Sequence, residues 1–464
     1  MIKTYVKLLE SYLPVKLNSY KLDGRQTTTL WFPGGNMKLG LKSALALAVG
    51  VATATTASAA DELTIAIVNN GHMINMQKVA EAYTAETGVK LNWVSLEEGV
   101  LREQVTSDTA TGGGQYDIIN IGMQEAPIWG AAGWIEPLSF SADYDVDDIL
   151  PAMRAGLSHD GTLYAAPFYG ESSMVMYRKD LTDAAGVTIG DNDSWDNVKK
   201  AVAAIHDPDN GVYGACLRGK PGWGDNGAFI TTVANSFGAA WLDADGRPQL
   251  DSPEWNAAVN FYVDLLSTYG PPGSEGNSFN EILALYNEGK CGLWIDATIA
   301  ASFLEVDGVA YAQSPNAGNP VGANWLWAWA MAVPAGSPNA EASKQFIEWA
   351  TSKDYVQAVG NHPDFGWDKV PTGQRASTYA LPEFQAVAGF AKAEMAAIDS
   401  AAPEATDLKP YQGVQFVAIP EFPEIGSAFG QEMAAALSGA KTVEAALAAA
   451  QEAATSILRE AGYF

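Results

Sequence analysis

At 464 residues the chain is too long for one ordinary hydrophobic core, and with 48% apolar and 17% charged residues its composition is globular rather than disordered. Its formal charge is −27; residues 1–59 hold seven of the 27 Lys+Arg and two of the 54 Asp+Glu, leaving 20 basic and 52 acidic residues, net −32, for the rest. That charge repels nucleic acid and anionic lipid and disfavours a polyanionic ligand. No stretch reaches the roughly 18 unbroken apolar residues of a membrane-spanning helix.

Residues 1–36 read as neither signal nor domain and are expected to be an over-long translation upstream of a true start at Met37. From there Lys38 and Lys42 form a basic start, residues 43–55 a short apolar run, and Ala57-Ser58-Ala59 a small-x-small cleavage site. The pattern is a secretory signal over 37–59. With no cysteine before Cys216, the product is expected free in the periplasm and not as a lipoprotein. In that oxidising compartment Cys216 and Cys291 are read as a disulfide in preference to two buried thiols.

From residue 61 the pattern alternates. "LTIAIV" (63–68) is a strand with Asn69-Asn70-Gly71 as its exit turn, and Met76, Val79, Ala80 and Tyr83 then recur at helical spacing up to Gly88. "KLNWV" (90–94) is a second strand, "LREQVTSDTAT" (101–111) a helix, and "YDIINIG" (116–122) a third strand. This alternation predicts an α/β lobe with a parallel sheet and right-handed crossovers. Ligands of such sheets sit beyond the carboxyl ends of the strands, which singles out Asn69-Asn70, Glu97-Glu98 and Gln124-Glu125. Each alone reads more readily as a solvated loop residue; their convergence on one edge sets them apart.

"FYGES" (168–172) reads as a polar, ligand-like stretch leading into the strand "SMVMY" (173–177). Residues 195–206, 228–237 and 252–270 predict helices, the last capped by Ser252 with Pro253 in its first turn. "YGACLRG" (213–219) predicts a strand, residues 281–297 a helix followed by a buried strand ending at Asp296, and residues 442–460 a terminal helix. "GANWLWAWAMAVP" (322–334) puts Trp325, Trp327 and Trp329 on one face of a strand. One or two of these indoles are expected to face a cleft, Trp327 first among them, with Trp329 packed in the core.

No HExxH, CxxC, P-loop, GxGxxG opening a helix or GxSxG elbow occurs, and the four histidines show no metal-ligand spacing, so neither metal nor cofactor is expected. His72 and His159 read as surface residues. Carboxylate pairs of the kind glycosidases use carry no weight among 52 acidic residues.

"APFYGESSMVMYRKDL", "CGLWIDATIAAS", "NWLWAWAMAVPAGSPNAEASKQFIEWATSKD" and "GVQFVAIPEF" resemble bacterial extracellular solute-binding protein family 1, the maltose-binding-like proteins that deliver sugars to ABC importers. "ESSMVMYRKDL", "CLRGKPGWGDN" and "GVQFVAIPEF" are most similar to its sorbitol/mannitol-binding subgroup. The likeness runs over almost all of residues 61–462. It implies a periplasmic binding protein-like fold of type II, two α/β lobes with a hinge and an interlobe ligand cleft. The N-terminal lobe would cover 61–168 and 331–412, the C-terminal lobe 169–330 and 413–464. It further implies ligand contacts at Glu171, just before the first crossing strand, at Gln124 and Glu125, and at Trp294. The implied partners are a small polyol or sugar and an ABC permease, with the protein a monomer. Ile121-Gly122-Met123 lacks the family's aromatic after the third strand, which disfavours a flat pyranose platform and suits a linear sugar alcohol.

Such an alditol carries a hydroxyl on every carbon, each able to donate and accept, with C–H edges between them. Glu97, Glu125, Glu171 and Asp296 would supply acceptors, Arg218 donors, and Asn69, Asn70, Asn324 and Gln415 both. Trp223, Trp294, Trp327 and Tyr169 would cover the C–H edges. Arg218 reads alternatively as a surface ion pair and Asp296 as a helix cap. A mono- or disaccharide ligand is the alternative within the class, and a secreted carbohydrate-active enzyme the alternative outside it.

Overall fold

The computed structural model describes residues 62–319, 323–401 and 415–464 in full, and before them the backbone of three strands. Those three, Leu17–Leu22, Arg25–Phe32 and Gly35–Lys38, pair antiparallel in chain order and belong to a unit of their own. The extension over 1–36 and the signal segment over 37–59 otherwise lie outside the described residues.

The second unit, residues 62–464, begins with β1 (Glu62–Val68), whose Leu63, Ile65 and Ile67 are fully buried. The Asn70 side chain caps α1 (Gly71–Thr87) by accepting from the Met73 N–H at 3.2 Å, and Gly88 ends the helix at φ 78°. β2 (Lys90–Leu96), α2 (Glu98–Thr111), β3 (Ile118–Ile121) and α3 (Glu125–Ala132) follow. β1 pairs parallel with both β2 and β3, as the alternation predicts.

The sheet is nevertheless mixed. β4 (Ala166–Glu171) leads through Ser172 into β5 (Ser173–Arg178), and β6 (Leu293–Ala297), β7 (Val309–Gln313) and β8 (Trp327–Ala332) come later. The first sheet runs β2-β1-β3-β8-β4, with β8 antiparallel to both neighbours; β6-β5-β7 form a second, antiparallel sheet. β4 and β8 carry the chain out of the first sheet and back, so their direction follows from the traverse and not from a helical crossover. "FYGES" is accordingly strand up to Glu171, buried throughout. At the crossing the Thr298 N–H donates to the Ser172 carbonyl at 2.8 Å and the Ser172 N–H to Thr298 Oγ1 at 3.3 Å.

α4 (Asn226–Ser236), buried along its whole length, α5 (Pro253–Tyr269), capped by Ser252, and after the return α7 (Phe422–Leu437) and α8 (Val443–Glu460) pack on one another, while α6 (Phe279–Asn287) packs on β6. "YGACLRG" makes no ladder. It contributes single bridges, Tyr213 to Cys291 and Cys216 to Trp294, because a Cys216–Cys291 disulfide, 5.7 Å between Cα atoms, ties it beside β6. That bond spans a sequence separation of 75, and in the loop-closure account it restricts the unfolded chain by about 4 kcal/mol.

His72 is not a surface residue. It is 2% exposed, its ring 4.7 Å from that of Phe303 and 5.5 Å from that of Tyr169. Burial, helped by the Lys369 charge, drives its pKa down to about 3, so it is neutral. His159 is half-exposed, its Nε2 3.5 Å from the Asp160 carboxylate.

Candidate functional site

The carboxyl ends of β1, β2 and β4 converge with the loop from Arg218 to Asp225, the start of α6 and the tryptophan segment around one cavity. Its volume is ≈ 80 Å³, room for roughly six waters. Its charged lining is Glu97, Glu98, Glu171, Asp225 and Glu281 against Arg102, Arg218 and Lys220. An excess of carboxylates disfavours an anionic ligand and suits a neutral one. Among the described residues no group of three or more His, Cys, Asp or Glu could hold a metal ion.

Arg218 is set in place by Asp296 at the end of β6. Its Nε lies 2.8 Å from Asp296 Oδ2 and its Nη2 2.6 Å from Oδ1, while Nη1 donates to the Gly224 carbonyl at 2.6 Å. Asp296 also accepts from Trp294 Nε1 at 2.8 Å and from the Ala297 N–H at 2.6 Å. Burial works against the guanidinium charge, but Asp296 outweighs it and raises the Arg218 pKa above the ordinary arginine value. Asp296 and Trp294 therefore stand behind Arg218 and outside the cavity wall.

Arg102, from α2, is the second cation of the wall. Nε and Nη2 donate to Glu98 Oε1 at 3.1 and 2.9 Å, and Nη1 to Glu125 Oε1. The guanidinium carbon lies 3.9 Å from the ring centroid of Trp223, 4.7 Å from that of Trp329 and 4.9 Å from that of Trp327. Three indoles thus cage one cation. Burial raises the Glu98 pKa despite the Arg102 charge beside it.

Glu171 differs from every other carboxylate here. It is 6% exposed and lines the cavity, yet its carboxyl has no hydrogen-bond partner among the described residues. Burial raises its pKa well above the ordinary value of 4.5; Arg218 opposes this, while Asp296 and Glu98 add to it. Gln415, 5% exposed, faces the same space with its side-chain amide also unpaired among the described residues. At the mouth Lys220 pairs with Glu97, and Asn280 Nδ2 donates to the Asn69 carbonyl at 3.0 Å.

Of the side chains singled out in the sequence, Asn69, Asn70, Glu97, Glu98, Tyr169, Glu171, Arg218, Trp327 and Gln415 line the cavity. Asn70 Nδ2 donates to the Tyr169 hydroxyl at 2.7 Å. The others stand outside it. Gln124 donates to the Ile419 carbonyl at 2.9 Å, Glu125 accepts from the Gly122 N–H at 3.0 Å as well as from Arg102, and Asn324 donates to Ser400 Oγ at 2.7 Å. Trp223 backs Arg102. All three tryptophans of the 322–334 segment line the cavity, including Trp329, expected in the core. Trp325 precedes β8 and anchors its Nε1 on Thr232 Oγ1 at 2.9 Å. Sequence reasoning passed over Arg102, Lys220, Asp225 and residues 278–281, all of which face the cavity.

Gly122 accounts for the missing aromatic after β3. A Cβ there would lie 1.9 Å from Trp327 Cζ2, so the indole from β8 occupies the space a side chain at 122 would take. Gly122→Ala is expected to cost about 1–3 kcal/mol through overpacking and to weaken ligand binding at least tenfold, since the displaced indole enters the cavity. Thermal melts and calorimetric titration check both, and unchanged affinity would mean that Trp327 yields freely.

The model of the family described as bacterial extracellular solute-binding proteins matches residues 70–357. A mannitol-binding protein of Pseudomonas aeruginosa is 45% identical over 92% of this chain and 100% of its own length. An ABC transporter solute-binding protein of Agrobacterium vitis, solved with bound D-mannitol, superposes with a TM-score of 0.83 at 51% identity, covering 86% of this chain and 99% of that one. One from Agrobacterium radiobacter, in complex with ribitol, gives 0.76 at 24% identity over 85% and 98%; at that identity the likeness speaks for the fold alone.

Proposed function

The chain belongs to the bacterial extracellular solute-binding protein family, and from that premise we propose that it captures a sugar alcohol, mannitol- or sorbitol-like, and delivers it unchanged to an ABC permease. Its fold is the type II periplasmic binding protein architecture, shared with the solved relatives. The family is periplasmic or extracellular; the proposed location is the periplasm, reached by removal of residues 37–59 and without a lipid anchor. The proposed lobes are those expected above, with the 168/169 and 330/331 boundaries falling inside the crossing strands β4 and β8, and the 412/413 boundary outside the described residues. The protein is proposed to act as a monomer and to perform no chemistry on its ligand.

Glu171 carries the reading. A carboxyl so buried, unpaired and turned into a cavity costs several kcal/mol unless something completes it, and a hydroxyl is what two arginines already neutralised by their own carboxylates leave room for. Trp325, Trp327 and Trp329 offer flat apolar faces to the C–H edges of such a molecule. The mannitol-binding relatives, at 45 and 51% identity, support the same ligand class.

Calorimetric titration with mannitol, sorbitol, arabitol, ribitol, glucose and maltose tests the proposal. At a ligand concentration about 1,000 times its dissociation constant the folded state gains on the order of 4 kcal/mol, a shift that a melt reads directly. Heat and stabilisation confined to glucose or maltose would overturn the polyol assignment, and turnover of a chromogenic glycoside would overturn the assignment as a binder.

A further inference from the structure

We infer that Arg102 is a ligand-positioning and specificity-determining residue of this cleft, a role that rests on the polyol reading. A guanidinium has five N–H groups. Three are spent on Glu98 and Glu125, and no other acceptor among the described residues takes the remaining two. Arg102 lines the cavity and its side chain is 13% exposed; it also borders a neighbouring groove beside Ser107 and Trp223, and we assign the spare donors to the cavity.

The surroundings fix the plane of those donors. Trp223 stacks at 3.9 Å, Trp329 and Trp327 close the other sides, and the carboxylates of Glu98 and Glu125 hold the edge. A long side chain that would ordinarily lose rotamer entropy on binding has lost it already. Trp327 is also the register partner of Glu171 between β8 and β4. The fixed donor edge of Arg102 and the unpaired carboxyl of Glu171 thus both adjoin one indole. A hydroxyl row lying along that indole finds an acceptor and a donor in reach, which is what a polyol needs and a deoxygenated chain cannot use.

The cage joins separate parts of the fold. Arg102 rises from α2 beside the first sheet, whereas Trp223 lies in the loop after Arg218, tied to the second. Beside it, a Cβ on Gly224 of the same loop would lie 1.8 Å from Glu98 Oε1. Setting the Arg102 donors and bringing the two halves together are therefore the same event.

The test measures dissociation constants of mannitol and of its 1-, 2- and 3-deoxy analogues for wild type, Arg102→Lys and Arg102→Met. Both variants are expected to bind mannitol about 10- to 100-fold more weakly. One deoxy analogue, the one lacking the hydroxyl that Arg102 holds, should bind wild type and variants alike. A penalty equal for all four ligands would assign Arg102 a structural role only and overturn the inference. Affinity for mannitol unchanged in both variants would overturn it too. If Arg102→Met does not fold, Arg102→Lys alone, which keeps the charge and loses the fork, decides by the same pattern. Wild type that binds no alditol would instead sink the functional reading.

Discussion

Glu171→Ala is expected to abolish the ligand-induced rise in melting temperature while leaving the unliganded protein no less stable at pH 8. The carboxyl lines an existing cavity and makes no hydrogen bond to the described residues, so its removal opens no new void and breaks no protein contact. Its pKa is raised in the folded state, so the folded protein holds a proton that the unfolded chain gives up. Stability from this group is then fully present below the ordinary value of 4.5 and is lost as pH rises through the higher folded value. The variant is freed from that loss, and its advantage over wild type should grow from pH 4 to pH 8. Melts across that range, with and without mannitol, check both halves. A strong fall in the unliganded melting temperature would make Glu171 a structural residue.

Asp296→Ala should do the opposite to stability and the same to binding. It leaves the Arg218 guanidinium, 6% exposed, without its chelating carboxylate, and removes the acceptor of Trp294 Nε1. Breaking one half of a buried pair typically costs about 3–5 kcal/mol. The denaturation midpoint of the unliganded variant should fall accordingly, and no ligand heat should remain, because Arg218 is released from the cavity wall. A loss below about 1 kcal/mol would show the pair to behave as an exposed one. The two carboxylates are thus separable by experiment: one frames the site, the other faces its contents.

The early α/β alternation and its caps were legible because periodicity and glycine punctuation are local signals; β1 through α2 follow them closely. The antiparallel placement of β8 was not, since it depends on where the chain returns and not on its composition. In the site, Asn69 and Asn70 after β1 and Glu97 and Glu98 after β2 reach the cavity as the topology predicts, whereas Gln124 and Glu125 after β3 do not; Glu171, implied by the resemblance, lines it from the end of β4. What the sequence cannot tell is which of two polar neighbours keeps a free lone pair. Glu125 and Asp296 read like Glu171, but one is turned to the Gly122 N–H and Arg102, the other to Arg218. Arg102 stood inside "LREQVTSDTAT" as one more polar residue on a helix, and it is indoles from far along the chain, Trp223, Trp327 and Trp329, that distinguish it from a solvated one.

The three indoles on the cavity wall have an optical consequence. Indole emission shifts to shorter wavelength as water leaves its surroundings, and Trp325, Trp327 and Trp329 share one enclosed space. The molecule therefore carries its own fluorescent gauge of filling and emptying, and needs no attached dye for its kinetics to be followed.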